Sequence, residues 1–210
     1  MVRPYRCKTD VVDVIPIVMP LQLPPGAAPD LGDVDVRAFI VRDDSRVILI
    51  DTGMQADGAD LDAALTAADV AWTDVSDVVL THHHPDHIGA LAHVVTRAPD
   101  AAIWSGDELP QTTQVSDGHR VGDLRVLATP GHTPGHICLV AENTGDVFVG
   151  DCVGTFGGEL DRPPAMFTAD AAELDRSLHR LADLGGRRMY FSHGAEIDDP
   201  WGALAALIGR

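Results

Sequence analysis

The clearest chemistry in this chain lies in Thr81-His82-His83-His84-Pro85-Asp86-His87, where four potential metal donors, His82, His84, Asp86 and His87, fall within six residues. A neutral imidazole nitrogen is a good metal donor near pH 7. In an extended segment, residues two apart point the same way, so His82 and His84 can grip one ion together while His83 points elsewhere. Pro85 disfavours helix at His84 and suits the first helical position. Asp86 and His87 then fall in the first turn of a helix running through Ile88 and Leu91, where they can face a second, adjacent ion. A solvated polar loop accounts for a lone histidine. It does not account for His-x-His-x-Asp-His directly after the apolar run Val78-Val79-Leu80. Two adjacent divalent ions lower the pKa of water towards about 7 and polarise a carbonyl or phosphoryl oxygen, which is the chemistry of hydroxide attack.

Four donors from one short segment cannot complete two sites. The turn-rich stretch Thr129-Pro130-Gly131-His132-Thr133-Pro134-Gly135-His136 can present a histidine after the strand Leu124–Ala128. Gly150-Asp151 follows the apolar run Val147–Val149, and Ser192-His193-Gly194 follows Met189–Phe191. Each candidate sits at the end of an apolar run. Strand ends meeting on one edge would gather these distant residues.

The elements that must position them read as mixed. Strands are expected over Val11–Val18, Val36–Val41, Val47–Ile50, Val78–Leu80, Ala101–Trp104, Leu124–Ala128, Ile137–Ala141, Val147–Val149 and Met189–Phe191. Helical spacing links Leu61, Ala64, Leu65 and Ala68, and again Ile88, Leu91, Ala92 and Val95. The clearest helix is Asp170–Leu184, with Leu174, Leu178 and Leu181 as its stripe and Gly185-Gly186 to end it. Residues 20–34 and 154–166 read as loops. The pattern implies sheet packed against helices, in an α/β or α+β arrangement.

At 210 residues the chain suits one domain, 1–210, with a sizeable core. Lys plus Arg is 15 and Asp plus Glu is 32, a formal −17. So acidic a surface repels phosphate backbones and anionic membranes, so neither nucleic acid nor membrane is expected as a partner. The three cysteines, Cys7, Cys138 and Cys152, form no Cys-x-x-Cys pair, which suits a reducing cytoplasm. The basic segment Met1–Lys8 has no apolar signal core behind it, and no apolar run is long enough to span a bilayer.

With these motifs in place, the chain resembles the metallo-β-lactamase-fold hydrolase superfamily, from Ile50-Asp51-Thr52-Gly53 to Ser192-His193-Gly194, with five family motifs in order. The resemblance implies a four-layer αββα sandwich with two metals at one edge. It implies His82, His84 and His132 on the first metal, Asp86, His87 and His193 on the second, and Asp151 bridging both. Asp86 would also orient the attacking hydroxide, and Asp51 would orient a ligand histidine. Zinc is the first choice for the two divalent ions, with iron or manganese the alternatives. His136 is read as a core or supporting histidine, His93, His119 and His179 as surface or structural, and Cys138 and Cys152 as small core residues.

Departures within the superfamily narrow the field. Antibiotic-hydrolysing lactamases lack the bridging aspartate, which is present here as Asp151. Quorum-quenching lactonases carry a Tyr shortly after it, where this chain reads Cys152-Val153-Gly154-Thr155-Phe156. The glyoxalase II thioesterases match the full ligand set, although only their short form fits a chain with 17 residues after His193 (210 minus 193). The expected function is a binuclear hydrolase of a small-molecule ester, thioester or lactone. A mononuclear iron persulfide dioxygenase and a phosphodiesterase are the alternatives. Phe156, Met166, Phe167, Met19 and Leu21 are expected to wall the substrate. A homodimer is compatible with this reading.

Overall fold

A computed structural model describes residues 13–21, 34–43 and 46–210. Cys7, the basic N-terminal segment, Val11, Val12 and most of the expected 20–34 loop lie outside the described residues. Of that loop, Pro20 and Leu21 end one strand and Val34 begins the next.

One sheet has six strands in chain order: β1 (Asp13–Leu21), β2 (Val34–Arg42), β3 (Val47–Ile50), β4 (Val75–Leu80), β5 (Ala102–Ser105) and β6 (Thr113–Gln114). Its first three strands pair antiparallel, and β3 to β6 run parallel. The second sheet is built from β7 (Arg120–Val121), β8 (Leu124–Ala128), β9 (Ile137–Ala141), β10 (Asp146–Phe148) and β13 (Arg188–Tyr190), in the order β13-β10-β9-β8-β7. A separate hairpin joins β11 (Gly154–Phe156) to β12 (Glu159–Asp161). The helices are α1 (Ala59–Ala67), α2 (Pro85–Ile88), α3 (Leu91–Arg97), α4 (Ala171–Leu184) and α5 (Pro200–Leu207).

Strand alternation makes the layers. On β2, Phe39 and Val41 face inward, where they meet Val126 and Leu139 of the second sheet, and Phe39 stacks edge-on against Phe148 and Tyr190. The alternate residues Val36, Ala38 and Ile40 pack outward with Leu61, Leu65 and Val94 of α1 and α3. The second sheet turns Val140, Val147 and Met189 outward onto Leu174, Leu178 and Leu181 of α4 and Leu204 of α5. Both faces of each sheet are buried, so its central strands read as nearly continuous apolar runs. The result is the helix–sheet–sheet–helix order that the resemblance implied.

α4 begins where expected because the Asp170 side chain accepts from Glu173 N, and it stops at Gly185, whose φ is +63°. The helical spacing from Ile88 to Val95 is not one helix. Gly89 donates its N–H to Gly53 O at 2.7 Å, and a Cβ there would lie 2.2 Å from Met54 O, so α2 ends at Ile88 and α3 starts afresh at Leu91. Residues 154–166 are more than a loop. Gly157 and Gly158, both at positive φ, make the two-residue turn of the β11–β12 hairpin. The helix α5, capped by Asp199, is an element that the apolar spacing did not single out.

Candidate metal centre

Four strand ends open onto one edge of the sandwich, and each delivers part of a histidine and carboxylate cluster. After β4 the chain stays extended to His84 (φ −66°, ψ 149°) and then enters α2 with Pro85 at its first position. This places His82 and His84 on one side and sends Asp86 and His87 forward. The Thr129–His136 turn after β8 supplies His132, Gly150-Asp151 follows β10, and Ser192-His193 follows β13. All seven expected donors are brought together in two groups whose donor atoms lie within 4.8 Å of one another: His82, His84, His132 and Asp151, and Asp86, His87 and His193.

Asp151 touches both groups. Its Oδ2 is 3.4 Å from His132 Nε2 and 3.2 Å from His193 Nε2, and its Oδ1 is 3.2 Å from His87 Nε2. His84 Nδ1 and His132 Nε2 are 2.8 Å apart. His82 Nε2, His87 Nε2 and Asp151 Oδ1 are buried without a hydrogen-bond partner. Buried polar atoms left unpaired are costly, and imidazole with carboxylate is a donor set suited to divalent first-row ions. The residues fit a two-metal centre.

The supports differ from donor to donor. Asp51 follows β3 directly, at φ +59°, and is wholly buried. Its Oδ1 accepts from Thr81 N at 2.7 Å, and its Oδ2 accepts from Thr81 Oγ1 and from His87 Nδ1, both at 2.8 Å. The neighbouring Thr52 N donates to His87 O at 2.7 Å, so the Asp-Thr-Gly turn holds both ring and backbone of His87. His193 Nδ1 donates to Asp35 O at 2.7 Å. His82 Nδ1 meets only the Thr81 hydroxyl, at 3.1 Å. His132 Nδ1 is buried without a partner.

Two further supporting residues stand behind the donors. His136 is buried, and its Nε2 accepts the Asp151 N–H at 3.0 Å while its Nδ1 contacts Thr129 Oγ1 at 2.8 Å. It grips the backbone of the shared carboxylate, which makes it both buried and supporting, the two readings that its sequence left open. Asp107, just past β5, is a support that sequence reasoning missed. Its Oδ2 accepts from His83 Nδ1 at 2.8 Å and Thr133 Oγ1 at 2.9 Å, and its Oδ1 accepts from Gly135 N at 2.8 Å. It ties the His82–His84 segment to the His132 turn. The available signal was its position at a strand end, shared with every other candidate. His93 packs on Trp72 and faces Asp62, His119 stacks near Trp104, and His179 faces Asp175, all away from the centre. Cys138 and Cys152 are buried in the core under α4.

The two groups hold protons differently. Burial pushes His82 well below the usual histidine range and takes His132 down to about 4, with Asp151 only partly opposing. Burial, helped by His132, takes His136 down to about 3, so it stays neutral as its hydrogen bond requires. Burial also opposes charge on His87 and His193. There Asp151 outweighs it, with Asp51 for His87 and Asp86 for His193, raising His87 well above its ordinary value and His193 to about 10. Burial favours a neutral Asp151, yet His193 and His87 hold it well below the carboxylate range.

In front of the donors lies a cavity of about 270 Å³. Leu21, Phe156 and Phe167 line it as expected. Met19 and Met166 do not. Met19 is buried beneath the Gly53 turn, and Met166 points into solvent at 66% exposure.

The family model described as the metallo-beta-lactamase superfamily matches residues 31–117 and 106–193, most of the chain. The chain belongs to the metallo-beta-lactamase superfamily. It is 34% identical over 170 residues to a hydroxyacylglutathione hydrolase of Xanthomonas euvesicatoria pv. vesicatoria (strain 85-10), covering 78% of this chain and 61% of that protein. It is 30% identical over 158 residues to the lactamase-like protein adaB of Aspergillus niger, covering 72% of this chain and 47% of that protein. The chain thus spans 47–61% of the length of these curated relatives. Among solved structures it is similar to the metallo-beta-lactamase family protein TTHA1429 from Thermus thermophilus, with a TM-score of 0.71, 22% identity and coverage of 93% of this chain and 78% of that one. It is similar also to TTHA1623 in a di-iron-bound form, with a TM-score of 0.65, 27% identity and coverage of 90% and 97%. These likenesses set this superfamily member beside the glyoxalase II-like branch.

Proposed function

We propose that this chain is a binuclear metal-dependent hydrolase that cleaves an ester, thioester or lactone bond in a small molecule. The observation that carries the reading is Asp151, which stands within 3.4 Å of His132 and within 3.2 Å of His87 and His193. One carboxylate shared between two donor groups is the arrangement for holding two ions a short distance apart. The hydroxyacylglutathione hydrolase relatives support a thioester-cleaving activity in particular.

When bound, two divalent ions would supply a water whose pKa is lowered towards about 7 and positive charge for the developing oxyanion. The chain's own residues do the rest. His82, His84 and His132 would hold one ion, Asp86, His87 and His193 the other, with Asp151 shared between the two groups. Asp86 lies on the cavity wall with its Oδ2 3.4 Å from His193 Nε2. Burial works against its charge, but the hydrogen bond from His193 and the charge of His87 keep it below the ordinary carboxylate range. An ionised Asp86 accepts a hydrogen bond from the attacking oxygen and aims its lone pair at the carbonyl carbon. Zinc suits the donor set best. The similar TTHA1623 structure holds two irons, so iron is the metal to test against it.

The test is metal content by mass spectrometry on untagged protein, followed by turnover of thioesters, lactones and phosphodiesters. Two ions per chain and hydrolysis of a thioester or lactone are expected. One iron per chain with oxygenation of a persulfide would overturn the reading, as would absence of bound metal after purification without chelator.

A further inference from the structure

The cavity in front of the metal centre is one-sided in its chemistry. Beyond the donor side chains, its wall is made by Leu21, Val34, Met54, Phe156, Pro164 and Phe167. Among the described residues no Arg or Lys lines it. The described arginines nearest in sequence to the wall are already engaged. Arg162 binds Asp175 at 2.6 Å and Leu207 O at 3.2 Å. Arg37 binds Asp35 at 2.9 Å and Glu196 at 3.2 Å. Residues 22–33, which connect the lining positions Leu21 and Val34 along the chain, include Asp30 and Asp33 and no basic residue. The formal charge of −17 gives no attraction for a distant anion either.

We infer that the substrate's acyl group is uncharged and apolar, a short aliphatic chain or a ring, and that an acyl group ending in a carboxylate is rejected. The inference rests on the hydrolase reading, because it assigns the cavity to the part of the substrate on the acyl side of the scissile bond. Its physics is the cost of desolvation. An apolar acyl group buries its surface against Phe156 and Phe167, whereas a carboxylate seated against those rings, away from the histidines of the metal centre, gives up water and meets no Arg or Lys among the described residues. At about 270 Å³ the cavity lies just below the range of ligand pockets, roughly 300 to 1,000 Å³, so the favoured group is small.

The experiment compares two thioesters of one neutral thiol, the hexanoyl ester and the mono-ester of hexanedioic acid, on the metal-loaded protein. The hexanoyl ester is expected to show a kcat/KM at least about tenfold higher, carried mainly by KM. Phe167→Arg, a change at a side chain 36% exposed and outside the donor set, is expected to narrow or reverse the preference. A lower or equal KM for the carboxylate-bearing ester with the unaltered protein would overturn the inference. Binding separates this from failure of the hydrolase reading. Ligand-observed NMR on the metal-loaded protein should detect hexanamide and show weaker binding of the amide that carries a terminal carboxylate. If hexanamide binds while neither ester is cleaved, the hydrolase reading falls and the cavity assignment stands. If the charged amide binds as well as the neutral one, the cavity assignment falls.

Discussion

The two donor groups share one carboxylate but are held by opposite means. In the group of Asp86, His87 and His193, the two rings are braced directly: His87 by the buried carboxylate of Asp51 and His193 by the carbonyl of Asp35. In the group of His82, His84 and His132, the rings have little behind them. His82 meets a hydroxyl and His132 Nδ1 meets nothing. Their geometry comes through the backbone, from the segments that Asp107 fastens together. A braced ring has a fixed tautomer and a more basic donor nitrogen. An unbraced ring relies on the stiffness of the loop that carries it. The difference also shows in the protons. The braced group is surrounded by carboxylates that favour imidazolium, and the unbraced group is kept neutral by burial.

The largest effect belongs to the residue common to both. Asp151→Ala should lower kcat/KM by on the order of 10³ or more and reduce the bound metal below two per chain, while circular dichroism shows a folded protein. Full activity in that variant would remove the shared carboxylate from the site. His132→Ala should likewise abolish turnover with the fold intact, checked by the same assays.

A smaller effect separates the groups. Asp51→Asn keeps the side-chain shape and tolerates the φ of +59°, but it cannot accept from Thr81 N, Thr81 Oγ1 and His87 Nδ1 as a carboxylate does. Metal affinity should fall about 10- to 100-fold for one ion of the two. Chelator competition with metal counting checks this. If both ions are lost in parallel, the direct brace on His87 does not distinguish the groups.

This division is only partly legible in the sequence. The ligand strand ends can be read because each motif couples a β-branched run to a turn residue and a donor, and such couplings survive in one dimension. His82 with His84, and Pro85 before Asp86, announce their geometry through spacing alone. The Asp51 turn is legible by resemblance, and the layered fold through the alternating burial of strands such as β2. The break at Gly89 is not legible. It arises because the Gly53–Met54 backbone crosses α2 there, a contact between residues 36 apart (89 minus 53) that leaves no periodic trace. Asp107 is hidden for the same reason: a single carboxylate in a loop, whose partners His83, Thr133 and Gly135 lie 24 to 28 residues away. The cavity wall is half legible, since apolar residues in loops give no sign of which way they point, and Met19 and Met166 point elsewhere.

The finest test of the comparison is therefore Asp107, the residue that acts on its group only through backbone. Asp107→Asn removes the charge while keeping one acceptor oxygen, which can still serve Gly135 N but not His83 and Thr133 as well. The segments bearing His82, His84 and His132 then lose one of their fastenings, and the affinity for the ion of that group should fall about tenfold. The ion of the other group should be unaffected, because Asp51 and Asp35 do not touch this network. Thr133→Val removes one bond of the network and leaves His83 on Asp107, so its effect should be about threefold, the scale of a single hydrogen bond worth about 0.5–1.5 kcal/mol. Metal counting under chelator competition reads both variants. The ordered loss, one ion in Asp51→Asn and the other in Asp107→Asn, is what two separately supported groups require. A common loss in both variants would mean that the centre is held as one rigid unit through Asp151 and His136, and that the contrast in bracing has no energetic consequence.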